Sequence, residues 1–247
     1  KGDKRVLVIG IDGVRSDALQ LQVQSGNAPN IAGLIANGTV TWNAYAGGDF
    51  GTPTQQPTIS GAGWSSILTG TWIDRHNVNG NASPPYNQPA VLGSYLVDQA
   101  PHFARLIKES VPGSYVSSVS SWNWVEDYLV AAQPTWLDYH DKGIGSAYPT
   151  RDADVAAKAV AQITNSDPDV LFLHFDQVDG AGHANGFSTG VPAYLSAITN
   201  VDTHIGTILG AINSRPQKAS EQWMVIVTTD HGGTGTSHGG QSIEERT

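Results

Sequence analysis

Carboxylates and imidazoles follow three apolar runs in this chain. Val6 to Ile11 leads into Asp12; Val170 to Phe175 leads into Asp179 and His183; Met224 to Thr229 leads into Asp230, His231 and, further on, His238. Carboxylate oxygens and imidazole nitrogens are the ligands zinc takes outside thiolate sites, three or four at a time, with a position left open in hydrolytic centres. Six such groups would overcrowd one ion, so the pattern implies two. A hydrolytic centre also needs a nucleophile, and the hydroxyl-rich stretch Pro57 to Gly70, with Thr58, Ser60, Ser65, Ser66 and Thr69, offers candidates.

The elements that must carry these residues alternate. Residues 5 to 11, 169 to 175 and 223 to 229 read as buried strands, continuous aliphatic and β-branched runs. Residues 39 to 45 read as a further strand, and 115 to 121 more weakly so. A helix is expected from Pro29 to Asn37, with proline in its first turn and Gly38 beyond its end. Residues 101 to 110 look helical. Val155, Ala159 and Ile163 stack on one helical face over 152 to 163, and Ile198, Val201, Ile205, Ile208 and Ile212 make the stripe of a longer helix. The stretches 47 to 57 and 79 to 89, rich in glycine and proline, read as loops. Strands apolar on both faces and alternating with helices predict an α/β fold: a doubly wound, mostly parallel sheet with helices on both faces. Ligands bind outside the carboxyl ends of such strands, where all three clusters fall. Gly180 and Gly182 suggest that Asp179 and His183 share a tight loop, and Gly232 and Gly233 that the chain turns sharply after His231.

Composition narrows the classes. The 247 residues suffice for one α/β domain spanning 1 to 247, and 39% hydrophobic with 14% charged residues is a globular balance. No run of about 18 apolar residues is present to span a membrane. A formal net charge of −9 argues against a nucleic-acid polymer as partner, although bound cations would offset part of it. The absence of cysteine excludes disulfides, thiolate zinc sites and a cysteine nucleophile. The chain begins at Lys1 rather than Met, which fits either a trimmed chain or a mature exported protein, with no signal peptide to decide between them; the location stays open, periplasmic or secreted being favoured over cytoplasmic.

Six fragments in order carry a resemblance: Ile11-Asp12-Gly13-Val14-Arg15-Ser16-Asp17, Ala28-Pro29-Asn30-Ile31, Pro57-Thr58-Ile59-Ser60 through Leu68-Thr69-Gly70, Asp74-Arg75-His76, Asp179-Gly180-Ala181-Gly182-His183, and Asp230-His231-Gly232. Together they resemble the alkaline phosphatase superfamily, nearest its type I phosphodiesterase / nucleotide pyrophosphatase branch, over nearly the whole chain. The resemblance implies that Asp12, Asp230 and His231 hold one zinc, that Asp179, His183 and His238 hold the other, and that Ser60 is the nucleophile, forming a covalent phosphoserine. Ser60 stands where that branch carries threonine. The Phe-Pro-Asn-His that commonly follows is here Gly61-Ala62-Gly63-Trp64, so the amides of Gly61 to Gly63 are expected to bind the phosphoryl group in place of the asparagine. The same stretch lacks the proline and arginine that sulfatases require. Ser242 to Thr247 stops where a further strand is expected, so an incomplete C-terminus is part of this reading.

Bland rivals stand beside these assignments. His76 is read as a structural loop histidine, His174 as a satisfied core histidine, and His102, His140 and His204 as surface residues. Asp176 is a rival carboxylate, and Thr58 a rival nucleophile two residues too early. The functional expectation is a two-zinc phosphoric-ester hydrolase acting on a small phosphorylated substrate. Diesters are favoured because Arg15 and Arg75 are the only arginines near a site segment. The alternatives are a phosphomonoesterase of the same superfamily and a metal-stabilised binding protein without turnover.

Overall fold

A computed structural model describes residues 4–247. Five strands, β1 (Lys4–Ile11), β2 (Val116–Ser120), β3 (Tyr139–Lys142), β4 (Val170–Phe175) and β5 (Gln222–Thr228), form one sheet of order β3-β2-β4-β1-β5. Every pairing is parallel. β1 lies between β4 and β5, so Asp12 leaves the sheet between the two strands that feed the other clusters.

Nine α-helices surround the sheet: α1 (Ser16–Gln24), α2 (Pro29–Ala36), α3 (Ser60–Thr69), α4 (Ile73–His76), α5 (Phe103–Ser110), α6 (Tyr148–Asn165), α7 (Gln177–Asn185), α8 (Pro192–Asn213) and α9 (Ile243–Arg246), among the described residues. Period-two alternation sorts the strand side chains. Leu7, Ile9 and Ile11 of β1 and Leu171, Leu173 and Phe175 of β4 meet Val155, Ile163, Ile198, Val201 and Ile205 of α6 and α8 on one face. On the other face Phe172 packs with Trp64 and Leu68 of α3 and with Tyr128 and Leu129. These two covered faces make the doubly wound α/β architecture expected from the apolar strands. No helix among the described residues is long and apolar enough to cross a membrane.

At the amino ends of the strands, buried Arg5 pairs with Asp167 at 3.1 Å and with Glu221 at 3.8 Å, while Arg215 pairs with Glu221 at 2.7 Å. This network ties together the segments entering β1, β4 and β5, and with them the register of the strands that deliver the opposite end.

Two local expectations change. Residues 39 to 45 form no strand: their β-branched and aromatic side chains find no neighbouring strand, and Val40 and Tyr45 lie exposed. The edge strand β3 was not anticipated, because Tyr139-His140-Asp141-Lys142 has the charge of a loop, a composition that also discourages a further strand from pairing there.

Candidate metal and nucleophile site

The carboxyl ends of β1, β4 and β5 gather all six predicted ligand side chains. Asp12 follows β1 directly, and Gly13, at φ +70°, turns the chain away and donates its amide to Asp230 Oδ1 at 3.3 Å. Asp179 and His183 lie on α7, not in a tight loop: the four-residue spacing puts both on one helical face, with Asp179 Oδ2 3.3 Å from His183 Nε2. Gly182 serves packing instead, since a Cβ there would stand 2.3 Å from the Phe187 ring. Gly232 and Gly233 likewise have no left-handed backbone; side chains there would strike the Glu244 carbonyl and Phe187.

Two groups of side chains collect the predicted ligands, and a third, Asp12, His174 and Asp176, shares Asp12 with the first of them. Asp12, Asp230 and His231 bring one ligand atom each to within 4.8 Å of one another, and so do Asp179, His231 and His238. His183 joins the second group, its Nε2 3.1 Å from that of His238. Ser60, the first residue of α3, borders the first group, its Oγ 3.1 Å from His231 Nε2 and 3.3 Å from Asp12 Oδ1.

The imidazoles share one orientation. Nδ1 of His183 faces the Thr236 carbonyl at 2.9 Å, that of His231 the Gly232 carbonyl at 2.7 Å, and that of His238 the Thr58 carbonyl at 2.8 Å. A carbonyl only accepts, so each Nδ1 carries the proton and each Nε2 turns a lone pair into the cluster, as a metal-ligating histidine requires. Burial pushes the His231 imidazolium down to about 4 and lowers that of His238, so both rings are neutral at pH 7.

The carboxylates are uncompensated. Asp179 Oδ1 and Asp230 Oδ2 are buried without a hydrogen-bond partner. Burial, then repulsion from Asp12, pushes the Asp179 carboxyl up to about 8, and the same causes, with Asp179 added, raise Asp230 well above the ordinary range. Asp12 goes the other way: burial would raise it, but hydrogen bonding from His174 and the nearby charge of His231 hold it down at about 2. Orphaned carboxylate oxygens facing imidazole lone pairs are a donor set that divalent cations would satisfy.

A cavity of about 550 Å³ opens over this cluster, lined by Ser60, Asn81, Trp122, Tyr148, Asp176, Asp179, Gly180, His183, Ala184 and His238. No lysine or arginine is among these. Arg15 is engaged with Asp17 and with the Phe187 carbonyl, and Arg75 with the Gln99 carbonyl. Asn81 went unrecognised in the sequence, where it lies in a featureless loop. Its Oδ1 accepts from the Gly61 amide at 2.9 Å, which leaves its NH2 group as a donor at the cavity.

This bond corrects the expectation for Gly61 and Gly63. The Gly61 amide is taken by Asn81, and the Gly63 amide donates to the Ile59 carbonyl at 2.9 Å, so neither is free for an anion. Both glycines allow close approach: a Cβ on Gly61 would lie 2.1 Å from the Gly80 carbonyl oxygen, and one on Gly63 2.8 Å from Asp230 Cβ.

The rivals also find places. The Thr58 hydroxyl donates to the Gly240 carbonyl and accepts from the Gly239 amide, and so is occupied, while the Thr58 carbonyl orients His238. His76 is buried between Ser66 and the Val78 amide. His102, expected at the surface, is buried. Asp176 immediately precedes α7 at the cavity wall, its carboxyl raised by burial and by Asp12, Asp179 and Asp152.

A parallel sheet with this strand-end cluster defines an alkaline phosphatase-like fold. The chain belongs to the type I phosphodiesterase / nucleotide pyrophosphatase family, whose sequence pattern matches residues 6–245. Among solved structures it is similar to phosphonoacetate hydrolase from Sinorhizobium meliloti (18% identity, TM-score 0.63, 94% of this chain and 57% of that one). It is also similar to a putative sulfatase from Bacteroides thetaiotaomicron (15%, 0.73, 99% and 63%) and to murine ectonucleotide pyrophosphatase / phosphodiesterase 5 (20%, 0.62, 94% and 58%). Among curated proteins, a 2,3-bisphosphoglycerate-independent phosphoglycerate mutase from Rhodopseudomonas palustris is 27% identical over 157 residues, 62% of this chain and 28% of that protein. A mutase of the same description from Haloquadratum walsbyi is 35% identical over 79 residues, 32% of this chain and 14% of that protein. The chain thus spans about three fifths of the solved structures and under a third of the curated relatives.

Proposed function

We propose that the chain is a two-zinc phosphoric-ester hydrolase that acts through a covalent phosphoserine on Ser60, with phosphodiesters as its substrates. The observation that carries this reading is the position of Ser60 Oγ, within 3.3 Å of both Asp12 and His231 and on the wall of the cavity that Asp179, His183 and His238 also line. One zinc is assigned to Asp12, Asp230 and His231, and the other to Asp179, His183 and His238. Two divalent cations so held would neutralise the carboxylates, acidify a nearby hydroxyl and stabilise charge developing on the phosphoryl and leaving oxygens.

The chain's own residues do the rest. The Ser60 hydroxyl gives its proton to solvent and Oγ bonds to phosphorus, while the bond from phosphorus to one ester oxygen breaks and that alcohol leaves with a proton from solvent; the other ester group stays on the phosphoryl group held by Ser60. Water then attacks that phosphorus, the bond to Oγ breaks, and the phosphomonoester leaves as Ser60 regains its proton. Asn81 donates to a phosphoryl oxygen throughout. A cavity wall without lysine or arginine suits a monoanionic diester better than a dianionic monoester. In the same direction, an inactive variant of murine ectonucleotide pyrophosphatase / phosphodiesterase 5 holds AMP. The prefix in that neighbour's name agrees with the periplasmic or secreted location expected here.

The test is turnover of bis(p-nitrophenyl) phosphate against p-nitrophenyl phosphate with zinc present, followed by acid quenching and mass spectrometry. Expected are faster diester cleavage, a p-nitrophenyl phosphoryl group on Ser60, near-complete loss in Ser60→Ala, and measurable activity in Ser60→Thr. Faster monoester cleavage would make the protein a phosphomonoesterase. Zinc uptake with no turnover of either would make it a metal-stabilised binding protein.

A further inference from the structure

We infer that Trp64 and His174 are positioning residues that lock the Asp12 carboxylate so that it offers a cation only one oxygen, Oδ1. The inference rests on the metal-site reading above and goes beyond it, because neither residue is a ligand in that reading.

Asp12 Oδ2 is saturated from inside the protein. The Trp64 indole N–H donates to it at 2.7 Å, and His174 Nε2 lies 3.2 Å away. Asp12, Trp64 and His174 are all fully buried, so no water competes for that oxygen. The proton on His174 is placed by its other nitrogen: Nδ1 faces the Trp122 amide, which can only donate, so Nδ1 accepts and Nε2 carries the hydrogen. His174 is thus the opposite tautomer of His183, His231 and His238, whose Nε2 atoms are lone-pair donors. Three histidines are set to bind a cation, and the fourth to hold a carboxylate.

The lock is built into three parts of the sequence. Trp64 meets the His174 ring edge-on, with centroids 4.6 Å apart, which fixes both donors relative to each other. The indole reaches across β1 only because residue 10 is glycine: a Cβ there would lie 2.3 Å from Trp64 Cη2. Gly10 therefore sits two residues before Asp12 to seat the side chain that holds it. Oδ1, the other oxygen, points to Ser60 Oγ at 3.3 Å and His231 Nε2 at 3.4 Å, the side on which the cation is assigned. Partners that orient a ligand in this way are worth about 10–100-fold in metal affinity.

The experiment measures zinc affinity by competition with a chromophoric chelator in the full chain, alongside the melting temperature of the metal-free protein. Trp64→Phe, which keeps the ring and deletes the N–H, is expected to weaken zinc binding at one of the two sites by about 10-fold or more, with the metal-free melting temperature close to wild type. His174→Gln, whose amide can donate to the same oxygen, is expected to keep most of the affinity that His174→Leu loses. Unchanged zinc affinity in Trp64→Phe would overturn the lock. A second measurement needs no substitution in the wild-type core: the Trp64 indole proton, followed by nitrogen-15 NMR, is expected to remain protected from exchange and to shift on zinc addition. Loss of that protection would show Oδ2 leaving Trp64 for the cation and would overturn the lock as well. If Asp12→Asn loses a zinc equivalent while Trp64→Phe binds as wild type, this inference alone fails. If the wild type takes up no zinc, the metal-site reading fails with it.

Discussion

His183 and His238, on different segments, bring their Nε2 atoms to 3.1 Å from each other, while the Nδ1 of each is bound to a backbone carbonyl. Two lone pairs that face each other repel unless a proton or a cation lies between them. Chelation is therefore expected to destabilise the protein. A zinc concentration of 100 times the dissociation constant should add about 2.7 kcal/mol per site, seen as a rise in melting temperature. His183→Ala should lose one zinc equivalent and keep the other by elemental analysis; retention of two would remove His183 from the site.

Stability of the metal-free protein should fall as pH rises from about 6.5 to about 8. The Asp179 carboxyl is raised to about 8, and Asp230 is raised in the same direction. A carboxyl raised by folding stabilises the fold below its unfolded value of about 3.9, and that contribution is lost as pH climbs through the folded one. His231 and His238 are lowered, so they add stability as pH rises, but only up to their unfolded value of about 6.5. Above that the raised carboxyls are joined only by His140, which its hydrogen bond with Glu126 raises and which loses stability in the same direction as pH climbs. Thermal melts at pH 6.5, 7.25 and 8 check this, and saturating zinc should flatten the slope.

Asn81→Ala should lower kcat by about 10²–10³, the usual cost of a lost oxyanion donor, with little change in folding because the loop is exposed. Asn81→Asp is the sharper comparison. It keeps an oxygen for the Gly61 amide but sets a negative charge toward the phosphoryl group, so it should turn over more slowly than the alanine variant. Equal activity in the two would make Asn81 a loop anchor only.

Gly10→Ala should destabilise by about 1–3 kcal/mol, as overpacking a filled core does, because the added methyl collides with Trp64. Urea unfolding would read the change. A smaller loss is expected on top of Trp64→Phe than in wild type, because phenylalanine lacks the Cη2 and Cζ3 atoms that the added methyl would strike; the pair should be less than additive.

Much of this architecture is legible in the residues because it rests on burial. β1, β4 and β5 are apolar on both faces, and an aspartate directly after such a run has few places to go except the carboxyl edge of a sheet. β3 was invisible because a charged edge strand needs only one neighbour and no core. Residues 39 to 45 misled for the converse reason: β-branched side chains without a partner strand remain coil. In α7 the glycines concealed a helix, although the spacing of Asp179 and His183 fits one equally well. Asn81 could not be found at all, since its role comes from the approach of the Gly80 segment to Gly61 and no local pattern encodes that contact. The amides expected of Gly61 and Gly63 failed on the same contact and on the start of α3.

β1 lies between β4 and β5, so Asp12 meets none of the other five ligand candidates until strands begun more than 150 residues later have paired with β1. Synthesis therefore runs far ahead of the chemistry: a nascent chain can bury its first strand early, yet holds no cation pocket until the segment through His238 has emerged and docked. A cation could be held by both groups only once that long-range pairing has formed. Metal uptake in a refolding experiment should accordingly lag behind the gain of helical signal and coincide with the slow, topology-limited phase.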